Sequence, residues 1–225
     1  MNQIRLGIIG LGWRSGFTKY WHQPNGRSLV VAGADTDPLR LTKFQQNINP
    51  KAVVTLDYKE LLQREDIDAI VITTPDDSHD EIAVAALQAG KHVYCEKPLS
   101  ITVEGCDRIL TAWAQSGKHF MIGFNMRYMN MYRTMKEIVD SGEIGEVKSV
   151  WVRHFVGLGS DYYYHSWHGS SRNTTSLLLQ KASHDIDLIH WLTGRYTKKV
   201  AAFGGVDYFG RFRSHGTLSK ILLNC

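Results

Sequence analysis

Long apolar runs are missing from this chain. No stretch approaches the ~18 consecutive apolar residues that a membrane helix needs, which argues against a membrane-spanning protein. Runs of like charge are missing too. The 26 Lys and Arg and 22 Asp and Glu are scattered, and a net charge of +4 leaves no patch that would call for nucleic acid or a membrane surface. Cysteine is scarce: Cys95, Cys106 and Cys225 are odd in number and fall in no metal-ligand spacing, so the expectation is a reduced, cytoplasmic protein without a metal. There is no linker rich in Pro and Gly, no internal repeat and no low-complexity tract. The opening "MNQIRLGIIG" is too short in its apolar part for a secretory leader and reads as a strand running into glycine.

What is present is a series of short apolar runs separated by helical stretches. Strands are expected at Ile4–Ile9, Ser28–Ala34, Ala52–Thr55, Ala69–Thr73, His92–Tyr94 and Phe120–Ile122. Helices are expected at Pro38–Gln46, at Tyr58–Gln63, from Ser78 to the glycine at position 90, and at Thr102–Ser116, with Ser78 and Glu81 forming a capping box. Strands alternating with helices indicate an α/β class fold with a parallel, doubly wound sheet over residues 1–123. Beyond 124 the pattern changes. A helix at Asn130–Ser141, an alternating strand over 146–155, a helix at Ser183–Thr193 and a strand at Lys199–Phe203 suggest a second, incomplete α+β domain over 124–225. Two or three strands are few for a sheet that stands alone. The tail "GRFRSHGTLSKILLNC" alternates little, so a C-terminally shortened chain is the expectation, with a naturally small second domain as the alternative.

The loop "GIIGLGWRSG" places Gly10, Leu11 and Gly12 in the first turn between strand and helix. Gly-x-Gly there is the dinucleotide fingerprint. The first glycine makes the turn, and the second lets backbone approach a pyrophosphate at the helix N-terminus. The third position is Ser15, small but not glycine, so the match is partial. Asp35 ends the second strand, where a carboxylate accepts from ribose hydroxyls and repels a 2′-phosphate. NAD is therefore favoured over NADP, a preference that Arg40 on the next helix softens. Ligands of such sheets sit outside the carboxyl ends of the strands. Thr73, Thr74 and Pro75 leave the fourth strand at that edge, and Cys95, Glu96, Lys97 and Pro98 leave the fifth.

The stretch "TTPDDSHDEIAVAALQAGKHVYCEKPLS" (73–100), with "GFNMRY", "SGEIGEV" and "HDIDLIHWLTG", resembles the Gfo/Idh/MocA family of glucose-fructose oxidoreductase and inositol dehydrogenase relatives. The resemblance implies a Rossmann domain followed by a domain built on a large, mostly antiparallel sheet. It also implies hydride transfer between NAD(P) and a hydroxyl or carbonyl carbon of a sugar, cyclitol or related polyol. By that resemblance Lys97 lies near the nicotinamide and the substrate hydroxyl, and His184 closes the site from the second domain. Asn125 and Arg127 lie beside the nicotinamide end, Arg127 toward substrate, while Thr74, Pro75 and His79 lie next to the adenosine and ribose. Full-length members associate as homo-oligomers, which is doubtful for a shortened sheet.

Alcohol oxidation needs a proton acceptor with a pKa near neutrality. Free imidazole, near ~6.5, suits the task better than free lysine, near ~10.4, so His184 is expected as base and Lys97 as the group that holds the oxygen. One departure stands out. Gln180 occupies the place where many relatives carry Asp, Lys181 follows it, and Thr175 and Ser176 stand where glycines are common. Lys181 is expected to bind substrate. So is Trp167, in an aromatic loop with Tyr162, Tyr163, Tyr164, His165 and His168 whose rings suit the faces of a sugar. Asp187 is expected to be a helix-end or interdomain hydrogen bonder, and Cys95 to be a packed residue. Two further readings stay open: an NAD-dependent glycosidase-like relative, and a nucleotide-binding protein without turnover.

Overall fold

The computed structural model describes residues 3–156, 163–164 and 166–205. Strands β1 (Ile4–Ile9), β2 (Ser28–Ala34), β3 (Val53–Thr55), β4 (Ala69–Ile72), β5 (His92–Cys95) and β6 (Phe120–Ile122) form one sheet in the order β3-β2-β1-β4-β5-β6. Every adjacent pair is parallel. Such strands are covered on both faces, which is why they read as continuous apolar runs. Ile8, Val30, Ala32, Ile70 and Ile72 have no exposed surface.

One face packs under α4 (His79–Gln88) and α5 (Val103–Ser116) through Ile72, Ile82, Leu87 and Ile109. The other packs under α2 (Pro38–Asn47) through Ile8, Val30, Leu41 and Phe44. Short polar side chains start the helices: Asp37 accepts from Leu39 N, Asp57 from Lys59 N and Thr102 from Gly105 N. The strand order reverses between β1 and β4, so the loops leaving their carboxyl ends diverge and open a crevice.

Four expectations change. The Ser78 hydroxyl donates to Thr74 Oγ1 (2.7 Å) instead of capping its helix, and Glu81 accepts from the Tyr58 hydroxyl (2.9 Å), so no capping box forms. The segment after the glycine loop is a five-residue 3-10 turn, Trp13–Phe17, followed by a single turn of helix, Thr18–Trp21. The strands expected at 146–155 and 199–203 are absent. The alternation in "EVKSVWVRHF" is present, but a strand needs a neighbour for its backbone groups, and no strand beyond β6 occurs among the described residues. Trp151 and Phe155 are consequently each 84% exposed. Tyr162, His165 and the tail from 206 lie outside the described residues. Among the described residues no helix is long and apolar enough to cross a membrane.

The region after β6 is helical. A 3-10 turn, Asn125–Tyr128, leads into α6 (Asn130–Ser141), and a closing helix, Ser183–Thr193, follows a π-turn at Leu178–Ala182. Gly142 and Gly194 end these helices at φ 77° and 66°, the left-handed conformation that a C-terminal glycine supplies.

Candidate active site

A cleft of about 680 Å³ opens along the carboxyl ends of β1, β2, β4 and β5. Its walls include Gly10, Gly12, Asp35, Thr73, Thr74, Pro75, His79, Glu96, Lys97, Trp167, Lys181 and His184. Leu11, Asn125 and Arg127 do not line it.

At the β1 end the backbone leaves little room for side chains. Gly10 has φ +89°, and a Cβ there would lie 2.7 Å from Thr74 N, so only glycine lets the β1 and β4 exits meet. At Gly12 a Cβ would point into the cleft, with only the Arg40 guanidinium nearby at 3.5 Å. That open backbone beside the start of a helical turn fits a pyrophosphate. Ser15, the third position, turns its hydroxyl back onto the Gly12 carbonyl (2.7 Å). Asp35 is 8% exposed; its Oδ2 accepts from Leu11 N (2.6 Å) and its Oδ1 from Asp37 N (2.9 Å). Leu11 is thus a backbone prop for the carboxylate. The Arg40 guanidinium reaches the same carboxylate at 3.4 Å. These groups fit a dinucleotide, with Asp35 beside the ribose position.

At the β5 end, Lys97 is 8% exposed and its Nζ donates to the carbonyl of Gln180 (2.7 Å). The Gln180 side chain in turn donates to the buried carboxylate of Asp76. Residues 180, 181 and 184 all line the cleft: 180 and 184 are four apart and 181 and 184 three apart, spacings that share a helix face. Gln180 and Lys181 themselves sit in the π-turn, which is wider than an α-turn. Ahead of it, Thr175 holds φ 63°, ψ −59°, with Ser176 N donating to Thr174 O (2.7 Å): a γ-turn centred on a β-branched residue, a strained arrangement. This is the place where the sequence departs from a glycine pair.

Burial dominates the electrostatics. It lowers the Lys97 ammonium to about 8, opposed by the Asp76 charge and reinforced by Lys181 and Arg14. It raises the Asp76 carboxyl to about 7, opposed by Lys97 and by the Gln180 hydrogen bond. It lowers His184 to about 4, helped by the charges of Lys97, Arg14 and Lys181. His184 packs edge-on against Phe124 (6.0 Å), and its buried Nδ1 has no hydrogen-bond partner among the described residues. Glu96 is raised by burial, against the pull of Arg14, whose guanidinium lies 3.5 Å away.

Other expected residues have different jobs. His79 Nδ1 faces the Pro98 carbonyl (2.7 Å) and Nε2 the Thr74 carbonyl (3.1 Å). The ring is a strut between the β4 and β5 exits, with no nitrogen left over for a ribose. Arg127 makes a two-pronged pair with Asp187 (2.8 and 2.5 Å), which fixes the closing helix to the β6 exit and takes its guanidinium away from substrate. Asp187 thereby bonds to the turn that follows β6. Asn125 opens the 3-10 turn, its amide held by the Gly123 carbonyl (2.8 Å). Cys95 is a buried free thiol. Trp167 stacks on His168 at 3.6 Å, and Lys181 Nζ sits 4.2 Å above the Tyr163 ring. Sequence reasoning missed Asp76 and Arg14. The signal for Asp76 was its place directly after Thr73-Thr74-Pro75 at the same sheet edge.

Residues 4–124 match the family model described as an oxidoreductase family with an NAD-binding Rossmann fold, and residues 132–214 match that of a GFO/IDH/MocA C-terminal domain. The inositol 2-dehydrogenase of Salmonella typhimurium is 36% identical over 65% of this chain and 41% of its own. A 1-carboxy-3-chloro-3,4-dihydroxycyclohexa-1,5-diene dehydrogenase of Comamonas testosteroni is 30% identical over 97% of this chain and 54% of its own. Among solved structures, scyllo-inositol dehydrogenase from Lactobacillus casei, with bound NAD(H) and scyllo-inositol, is 29% identical with a TM-score of 0.74. That match covers 86% of this chain and 57% of the other. The chain spans about half the length of the curated relatives it matches.

Proposed function

The chain belongs to the GFO/IDH/MocA oxidoreductase family, and from that premise we propose that it oxidises a ring or chain hydroxyl of a polyol, cyclitol or sugar with NAD. The observation that carries this reading is one cleft with the glycine turn and Asp35 at one end and Lys97 with His184 at the other. Bound NAD would supply the hydride-accepting ring. Gly10 and Gly12 would admit its pyrophosphate, and Asp35 would face the adenosine ribose.

The proton falls to Lys97 more than to His184. Free imidazole looked the better base, but burial beside three cations takes His184 to about 4, too weak to hold the proton of an alcohol. The same burial brings Lys97 to about 8, close to the value a general base needs. Neutral Lys97 accepts the hydroxyl proton and then holds the product oxygen as an ammonium. His184 stays neutral and, from the cleft wall, packs beside the substrate ring and limits how it can lie. The free thiol of Cys95 suits a reducing, cytoplasmic setting.

The test is calorimetry of the purified chain with NAD and NADP, then reduced-nicotinamide absorbance with a polyol and cyclitol panel. NAD binding followed by NADH production supports the reading. A folded chain that binds neither nucleotide refutes it, and one that binds NAD yet turns over no polyol is a nucleotide-binding protein instead.

A further inference from the structure

The substrate end of the cleft is more basic than a neutral polyol requires. Lys97, Lys181 and Arg14 all line it. Lys97 is satisfied by the Gln180 carbonyl at 2.7 Å, and Arg14 by Glu96 at 3.5 Å. Lys181 differs: its ammonium rests on the Tyr163 ring at 4.2 Å, and among the described residues no carboxylate lies within ion-pair distance of it. Asp76, Asp77 and Glu96 line the cleft too, and none of them is an ion-pair partner of Lys181. Burial raises both Asp76 and Glu96, opposed chiefly by Lys97 at the first and by Arg14 at the second, so these carboxyls act on those two cations and not on Lys181. His168 and His184 are each lowered to about 4, by burial first and then by cations that include Lys97 and Lys181.

A half-buried ammonium that loses its water when the cleft fills needs a charged partner or it opposes binding. A polyol hydroxyl offers a neutral acceptor; a carboxylate offers a charge-assisted bond, about twice as strong. Among the described residues, Lys181 is the cleft cation without a carboxylate partner, and it suits that role. A phosphate, with its greater charge, calls for several donors or a bidentate arginine.

We propose that the substrate is a sugar acid or cyclitol acid, whose carboxylate is bound by Lys181 over the Tyr163 ring while Lys97 holds the reacting hydroxyl. This rests on the dehydrogenase reading and names the substrate class for that site. The position of Lys181, directly after the residue whose carbonyl anchors Lys97, puts the carboxylate a few bonds from the oxidised carbon.

The experiment compares D-glucuronate, D-glucose and D-glucose 6-phosphate, three ligands that share a ring and differ at one carbon. Calorimetry is run on the full chain with saturating NAD, with and without added salt. The expected result is glucuronate bound at least about tenfold more tightly than glucose, with the preference shrinking in high salt. Lys181→Met should bring the two affinities together, and Lys181→Arg should keep them apart. Equal affinities in the wild type, preference for the 6-phosphate, no association of any of the three sugars, or a preference that survives Lys181→Met in a folded variant overturns the proposal. Any of these with NAD binding intact leaves the dehydrogenase reading standing; failure of NAD itself to bind removes both.

Discussion

Lys97 Nζ donates to the carbonyl oxygen of Gln180 across 2.7 Å, and this bond joins the exit of β5 to the π-turn before the closing helix. The two residues are 83 positions apart in sequence. The contact fixes a buried amine at the cleft wall, and burial without a bonded carboxylate is what brings it to about 8. The pH dependence of oxidation follows. A lysine whose pKa is lowered from its ordinary value is neutral over a wider range, so activity that needs the neutral amine rises with pH and levels off above the lowered value. The kcat/KM for polyol oxidation should rise with unit slope toward pH about 8, or somewhat lower with the cationic nicotinamide bound. A profile that is flat between the two groups' values, from about 4 to about 8, would assign the proton to His184 instead. Lys97→Met should cut kcat by about 100-fold or more while leaving NAD affinity within a few-fold.

Asp76 acts through Lys97. Its charge raises the lysine, and its hydrogen bond from Gln180 holds the amide whose carbonyl the lysine uses. Asp76→Asn removes the charge and keeps an acceptor for Gln180. The rising limb of the pH–rate profile should move to lower pH, with kcat at its plateau reduced only modestly. A purely structural role would lower stability and leave the limb in place.

On the proposed function, cofactor choice is set where Asp35 and Arg40 meet. Asp35 holds two backbone amides on its inner side and Arg40 at 3.4 Å on its outer side. Asp35→Asn should weaken NAD and release Arg40 for a 2′-phosphate, shifting the NADP-to-NAD affinity ratio at least about tenfold. It should also cost about 1–3 kcal/mol of stability, because an amide NH2 replaces one of two oxygens that accept backbone N–H groups. Urea unfolding and titration with both nucleotides separate the two effects. An unchanged ratio would place the discrimination elsewhere.

The N-terminal sheet was legible because each of its strands is a buried apolar run and each crossover is short. Periodicity therefore carried β1 to β6 to within a residue or two. The region after β6 was less so. The alternation at 146–155 is present in the sequence, but a strand is a property of a pair, and without a partner both of its faces are exposed. The site divided in the same way. Lys97, Thr74 and Asp35 follow from one rule, that ligands sit at the carboxyl edge. Gln180 and Asp76 are joined by a hydrogen bond across 104 positions that no local signal announces. The strut role of His79 was hidden too, since its partners are carbonyls, which every residue has. The proton-acceptor assignment changed because a reference pKa describes a side chain in water, and both candidates are buried.

The pair between Arg127 and Asp187 connects the 3-10 turn after β6 to the helix that bears His184. The guanidinium also lies 6.0 Å from the Phe124 ring and 5.7 Å from that of Trp191, and Phe124 packs on His184. Arg127→Met therefore leaves a largely buried carboxylate at Asp187 without its partner and loosens the ring that positions His184. The expected loss is about 1–2 kcal/mol, toward the lower end because the guanidinium is 38% exposed and screened by water. Lysine keeps the charge but not the fork, so Arg127→Lys should recover less than half of the loss. In a double-mutant cycle with Asp187→Asn, a coupling near ~1 kcal/mol identifies the pair as one unit. If the pair positions His184, KM for the polyol should rise in both single variants while NAD affinity stays put. Additive stabilities with an unchanged KM would show that the closing helix is held by packing alone.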